Sequence, residues 1–184
     1  MKKVLSIVAI AAVMLVAGKA NAQTTIHAGF QSGTVSASGN GVTAISDDGV
    51  SGFYAGIDYN VAVSGDDFGI APGVMFSYYS DMMDIRVPVM FNWREQYNAI
   101  EVGVQAGPVL SYGVGGDMYK DGTFYKRFDI GVGAGVWVGY QKFRIEAGYT
   151  YGLLNRLNDD GKAFFGNDIS VKFHKVYVGL GFTL

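Results

Sequence analysis

The sequence predicts an all-β chain, an eight-stranded antiparallel up-and-down transmembrane β-barrel, and three observations predict it. Apolar residues alternate with small or polar ones through eight segments of the chain, which is the signature of strands with two unlike faces. The connections alternate between tight turns and longer loops, the asymmetry of barrels that cross a bilayer. The continuous apolar face carries aromatic residues toward both ends, while the opposite face holds Gly, Ser, Thr, Asn and charged residues. A soluble barrel has the inverse phase, with an apolar lumen and a charged exterior.

Composition bounds the reading. The chain has 27 Gly in 184 residues, about twice the roughly 7% protein average. There is no Gly-X-Y period and there are only 3 Pro, so collagen is excluded. Hydrophobic residues make up 49% and charged residues 16%, too apolar a mixture for disorder. The absence of Cys excludes a disulfide scaffold and a thiolate metal site.

Residues 1–22 read as a cleaved signal peptide. Lys2 and Lys3 form a basic start, Val4–Val16 is an apolar run broken only by Ser6, and Ala20-Asn21-Ala22 is a small-x-small cleavage site. The run is shorter than the ~20 residues a spanning helix needs. Residues 23–184 are then the barrel. Loss of Lys2, Lys3 and Lys19 leaves 11 basic against 16 acidic groups, a net charge of −5. No basic patch exists for nucleic acid.

The predicted strands are Ile26–Gln31, Phe53–Val63, Phe68–Tyr79, Ile85–Trp93, Ile100–Tyr112, Phe128–Tyr140, Arg144–Leu153 and Lys175–Leu184. Most match the ~9–11 residues of a tilted membrane-crossing strand or slightly exceed them. Tight turns fall at Ser64–Asp67, Arg94–Asn98 and Gln141–Lys142, a short connection at Ser80–Asp84, and long loops at Ser36–Ser51, Gly113–Arg127 and Leu154–Asp168. Short periplasmic turns and external loops place both termini on the periplasmic side. Phe53, Tyr78, Tyr112, Phe128 and Tyr151 form one aromatic row, and Tyr59, Phe68, Trp93, Tyr140 and Phe182 the other.

The inward phase carries Asp58, Arg86, Glu101, Asp129, Arg144, Glu146 and Lys175. The lumen of an eight-stranded barrel is just wide enough for its side chains, and an unpaired buried ion costs several kcal/mol. The seven therefore read as an interior ion-pair network with a structural role. Gly103, Gly107, Gly131, Gly133, Gly135, Gly139, Gly179 and Gly181 share this face. Trp137, a large side chain among them, is expected to fill space beside the glycines.

With the strands laid out, the chain resembles the outer-membrane β-barrel domain family abundant in Bacteroidetes, and it is similar to the small OmpA-type and OmpX-type barrels. Ile85-Arg86-Val87-Pro88-Val89 resembles the fourth strand of that family, and Glu101-Val102-Gly103 through Gly107-Pro108 the fifth. Phe128 through Gly135 resembles the sixth, and Arg144 through Tyr149 the seventh. Gln23 at the expected mature N-terminus is also common there. The resemblance implies an outer-membrane location in a Gram-negative cell envelope and insertion by the barrel-insertion machinery, with no shared catalytic residues. Phe182 and Leu184 are the expected C-terminal assembly signal, with Leu184 standing where the family usually ends in an aromatic residue.

Other chemistry finds little support in the sequence. Gly131-Val132-Gly133-Ala134-Gly135 lacks the spacing and the following helix of a dinucleotide site. His27 and His174 lack metal-site spacing, although closure of the barrel could bring them together, and each reads as a loop or interface histidine. Asp47-Asp48 and Asp159-Asp160 read as solvated loop charge. Ser170 lies four residues before His174, and no Ser–His pair is apparent in the sequence. The expectation is a non-catalytic, monomeric, integral outer-membrane barrel without cofactor or metal. Its partners would be outer-membrane lipid, lipopolysaccharide, the insertion machinery and an extracellular ligand at the loops, and its role envelope-structural or adhesive. The alternatives are a lipid-modifying barrel enzyme, which needs a lipid-facing polar cluster that the alternation does not show, and a secreted barrel binding a small hydrophobic ligand.

Overall fold

The computed structural model describes residues 22–39, 42–45, 49–65, 67–80, 82–120, 124–166 and 168–184. The expected signal segment up to residue 21, and Asp47-Asp48, lie outside them. Nine strands form one antiparallel sheet: β1 Ala22–Gly39, β2 Val42–Ile45, β3 Val50–Ser64, β4 Phe68–Tyr79, β5 Met82–Tyr97, β6 Ile100–Gly115, β7 Phe128–Tyr140, β8 Phe143–Gly152 and β9 Ser170–Thr183. Each of β3 to β9 pairs with its neighbour in sequence, and β1 pairs with both β3 and β9. The sheet thus closes into a barrel of eight strands. The register of closure runs from Thr25 opposite Thr183 to Ser38 opposite Ser170.

The strands run longer than the alternation predicts. β1 continues through Gly39 and folds back as β2, with Ser36 opposite Ile45. Much of the expected Ser36–Ser51 loop is therefore a hairpin that extends the barrel wall. β5 begins at Met82, so Asp84 lies in a strand and not in a turn. β5 also runs on to Tyr97, and the expected Arg94–Asn98 turn contracts to Asn98-Ala99, with Asn98 at φ 55°. Gln141, at φ 55°, serves the β7–β8 turn in the same way. The Leu154–Asp168 segment contains one short helix, α1 Asp159–Phe165, whose first backbone turn is capped by Asn158.

The phase is that of a membrane barrel. Phe30 is 71%, Val136 55% and Leu180 63% exposed, whereas Arg86 and Glu146 are each 3% exposed. At about 25 cal/mol per Å², that apolar outer belt is costly in water and favourable in hydrocarbon. Phe53 stacks on Tyr78 within one aromatic row, and Phe143 packs against Phe182 of the other.

Inside, large side chains lie over glycines of the neighbouring strand. Trp137 faces Gly103 across β6–β7, Tyr54 faces Gly29 across β1–β3, and Tyr177 faces Gly148 across β8–β9. A Cβ at any of the three glycines would collide with the opposing ring. The glycine excess therefore makes room for a few large inward rings in a narrow, curved wall.

Candidate functional site

The lumen is built in charged tiers. At the turn end, Glu101 on β6 accepts from Trp137 Nε1 at 2.8 Å and lies 3.7 Å from Arg94. The next tier joins three strands, β1, β3 and β8. His27 Nε2 lies 2.6 Å from Asp58 Oδ2, and His27 Nδ1 lies 3.0 Å from Glu146 Oε2. Arg144 reaches both carboxylates, at 3.0 Å to Asp58 and 3.2 Å to Glu146. Tyr54 donates to Glu146 Oε1 at 2.8 Å. The Arg144 guanidinium also lies 5.4 Å from the Trp137 ring centre, which couples this tier to the one below.

Above it, Lys175 is ion-paired with Asp84, and Arg86 donates to Gln31 Oε1 at 2.9 Å. Arg86 Nε stands 3.8 Å from Asp84. At the loop end, Arg156 enters the barrel mouth from the β8–β9 connection, 3.6 Å from Asp129. It also donates to the Tyr119 hydroxyl, and Tyr119 in turn donates to Met82 Sδ at 3.0 Å. Burial pushes the Tyr119 phenol above its ordinary pKa, so the group stays a neutral donor. Over this mouth sits an apolar cap. Leu157, Val171 and Phe173 form its centre, with Val35, Ala37, Phe124 and Ile169 packed around them.

The seven sequence-predicted residues do not form one continuous cluster. Asp58, Arg144 and Glu146 meet directly. Arg86 and Lys175 share Asp84. Glu101 pairs with Arg94, and Asp129 with Arg156. Four participants escaped the sequence reading. By sequence Asp84 and Arg94 fall in turns and Arg156 in a loop, and His27 reads as a loop or interface residue, although it is 1% exposed in the lumen. His27 and His174 do not meet at the closure. His27 sits opposite Gly181 and His174 opposite Thr34, on opposite faces of the wall.

Two lumen spaces accompany these tiers. A polar vestibule of about 250 Å³ opens at the turn end between Gln23, Asn60, Asn92, Arg94 and Glu101. A void of about 30 Å³ lies mid-lumen beside Arg86, Met90 and Tyr177, on the scale of one water molecule. Among the described residues, no group of three or more His, Asp or Glu side chains is placed to hold a metal ion. The outer face, on which the alternation shows no polar cluster, carries one polar contact between strands. Ser36 and His174, on that face of β1 and β9, are hydrogen-bonded at 2.7 Å. The pair joins strands from the two ends of the chain, and no local spacing in the sequence could reveal it.

The closed sheet with its apolar exterior and charged lumen defines the class of small, eight-stranded membrane barrels. Solved structures share this fold. The chain is similar to Neisserial surface protein A, with 16% identity and a TM-score of 0.50 over 88% of this chain and 98% of that one. It is also similar to the outer membrane enzyme PagL, with 7% identity and a TM-score of 0.54 over 83% and 98%. These likenesses concern the fold alone. No family model matches the chain, and no curated protein does.

Proposed function

We propose that the protein is a monomeric integral outer-membrane barrel. Its lumen is a structural element, neither a pore nor a catalytic centre, and its loop end serves the envelope by stabilising it or by binding an extracellular ligand. The observation that carries this reading is the run of ion pairs from Arg94–Glu101 at one mouth to Arg156–Asp129 at the other, with the Leu157 cap above it. Charges held by their neighbours avoid the cost of an unpaired buried ion and fill the path that a permeating ion would take. Two aromatic exposures support a recognition role at the loop end. Phe164 is 72% and Phe165 45% exposed on α1, next to Phe124.

In this reading residues 1–22 direct export, and Phe182 and Leu184 form the assembly signal for the insertion machinery. The surrounding partners are outer-membrane lipid and lipopolysaccharide. Kinship with the Bacteroidetes barrel family rests on the strand motifs at Ile85–Val89, Glu101–Pro108, Phe128–Gly135 and Arg144–Tyr149. The test is conductance of the purified barrel in a planar bilayer. A silent bilayer is expected, and stable unitary steps from the folded protein would overturn the filled-lumen reading.

A further inference from the structure

The outer wall carries a reactive pair that the lumen reading does not use. Residues Thr25, His27 and Gln31 of β1 point inward and are buried, while Ile26 and Phe30 point outward. Ser36 shares the outward parity, and its neighbours Val35 and Ala37 turn in against the cap. On β9, Val176 and Val178 are exposed on the same outer surface. His174 continues their row. Ser36 Oγ and His174 Nε2 lie 2.7 Å apart, within the reach that couples a nucleophile to its base.

Two rings hold the imidazole. Tyr149 lies parallel to it with centres 6.1 Å apart, and Tyr151 is tilted against it at 4.7 Å. Tyr151 belongs to the loop-end aromatic row, which in a membrane barrel marks the boundary between acyl chains and headgroups. Lys172 Nζ lies 5.4 Å from the centre of the Tyr151 ring and so adds a positive charge at that level.

An apolar groove adjoins the pair. It occupies about 480 Å³ on the outer face and is lined by Phe30, Ser32, Gly52, Phe53, Val176 and Val178. Its rung nearest the loop end is Ser32 opposite Val176. The next rung on that face is Thr34 opposite His174, and the one after is Ser36 opposite Lys172. Successive rungs on one face are about 7 Å apart. A chain lying in the groove therefore has its polar end beside the Ser36–His174 pair.

We infer that Ser36 and His174 form a hydrolytic dyad on the membrane-facing wall, acting on the acyl ester of a membrane lipid whose chain lies in the Phe30–Val178 groove. Ser36 Oγ attacks the ester carbonyl carbon while its proton passes to His174 Nε2. The ester C–O bond breaks, and the departing alcohol takes that proton. Water then attacks the acyl-serine, giving a proton to His174, and the C–Oγ bond breaks as Ser36 recovers it. The sum is ester plus water to carboxylic acid plus alcohol, with no oxidant or metal required. His174 Nδ1 is buried and makes no hydrogen bond among the described residues, so the pair works without a carboxylate behind the base.

The inference rests on the membrane-barrel reading above, and the experiment separates the two. Full-length protein is extracted from membranes and first scored for heat-modifiable gel mobility. It is then incubated in one arm with diacyl glycerophospholipid vesicles and in the other with lipopolysaccharide, and free fatty acid is measured by mass spectrometry. A fluorophosphonate probe is applied to the same samples. Wild type releases fatty acid in at least one arm, which identifies the source of the ester, and the probe labels Ser36. Ser36→Ala and His174→Ala each lower release by about 100-fold or more, and His174→Ala also suppresses labelling. A folded, heat-shifted wild type that releases no more fatty acid than Ser36→Ala and takes no label overturns the dyad and leaves the barrel reading standing. A preparation without the heat shift overturns both.

Discussion

Gly103 offers a sharp test of how the lumen is filled. Its Cα faces the Trp137 indole across β6–β7, and a methyl group there would overlap three indole carbons. In Gly103→Ala the indole must move. That movement stretches the 2.8 Å hydrogen bond from Nε1 to the Glu101 carboxylate, a class of bond worth about 1.5–3 kcal/mol. It also disturbs the Arg144 contact at 5.4 Å, worth about 0.5–1 kcal/mol. Ala is better than Gly in a strand by about 0.5–1 kcal/mol, which offsets part of the loss. The net destabilisation is about 2 kcal/mol. Urea titration of the folded barrel, followed by the heat-modifiable band, measures it. In a Trp137→Leu background the same substitution meets no indole, and only the gain of about 0.5–1 kcal/mol from Ala over Gly remains. The coupling between the two sites is then about 3 kcal/mol, at the upper end of the range found for residues in contact. An equal cost in both backgrounds, within about 0.5 kcal/mol, would refute the reasoning.

Three further outcomes follow from the same geometry. Lys175→Met takes the near counter-charge from Asp84, 2% exposed, and leaves Arg86 at 3.8 Å, and should lower stability by about 3–5 kcal/mol in the same titration. Val136→Lys places an ammonium on the lipid-facing belt, where Val136 is 55% exposed. It should cost about 2–4 kcal/mol in bilayers, while Lys in place of Tyr97 at the turn end should cost about 0–1 kcal/mol. Arg156→Ala removes the link from the cap to Asp129 and Tyr119. Limited proteolysis should then cut the segment between β8 and β9 faster, with the barrel fragment left intact.

The barrel was legible in the sequence because a period-two pattern is a property of each strand alone. Val132, Val136 and Val138 against Gly131, Gly133 and Gly139 define the face of β7 without reference to any other strand. What was hidden depends on register or on loop folding. His27 has a Gly on the same face of β1, and nothing within that strand predicts the Asp58 and Glu146 side chains that surround it. Asp84 looked like a turn residue because Ser80-Asp81 precedes it, yet the strand resumes at Met82. Arg156 lies outside any strand pattern and reaches Asp129 only because its segment folds over the mouth. The Ser36–His174 contact joins the first strand to the last, so only closure of the sheet brings it into being. Alternation thus encodes the wall, and pairing between strands encodes the chemistry on it.

The central claim is the inside-out phase of the wall, and the protein contains two tryptophans placed to report on it. Trp93 points outward at the turn-end aromatic row and is 38% exposed, whereas Trp137 points into the lumen and is 5% exposed. Fluorescence quenching by brominated lipid, in bilayers holding the Trp137→Phe or the Trp93→Phe variant, distinguishes the two faces. The account predicts strong quenching of the protein that retains Trp93 and little for the one that retains Trp137. Quenching of Trp137 with Trp93 spared would contradict it.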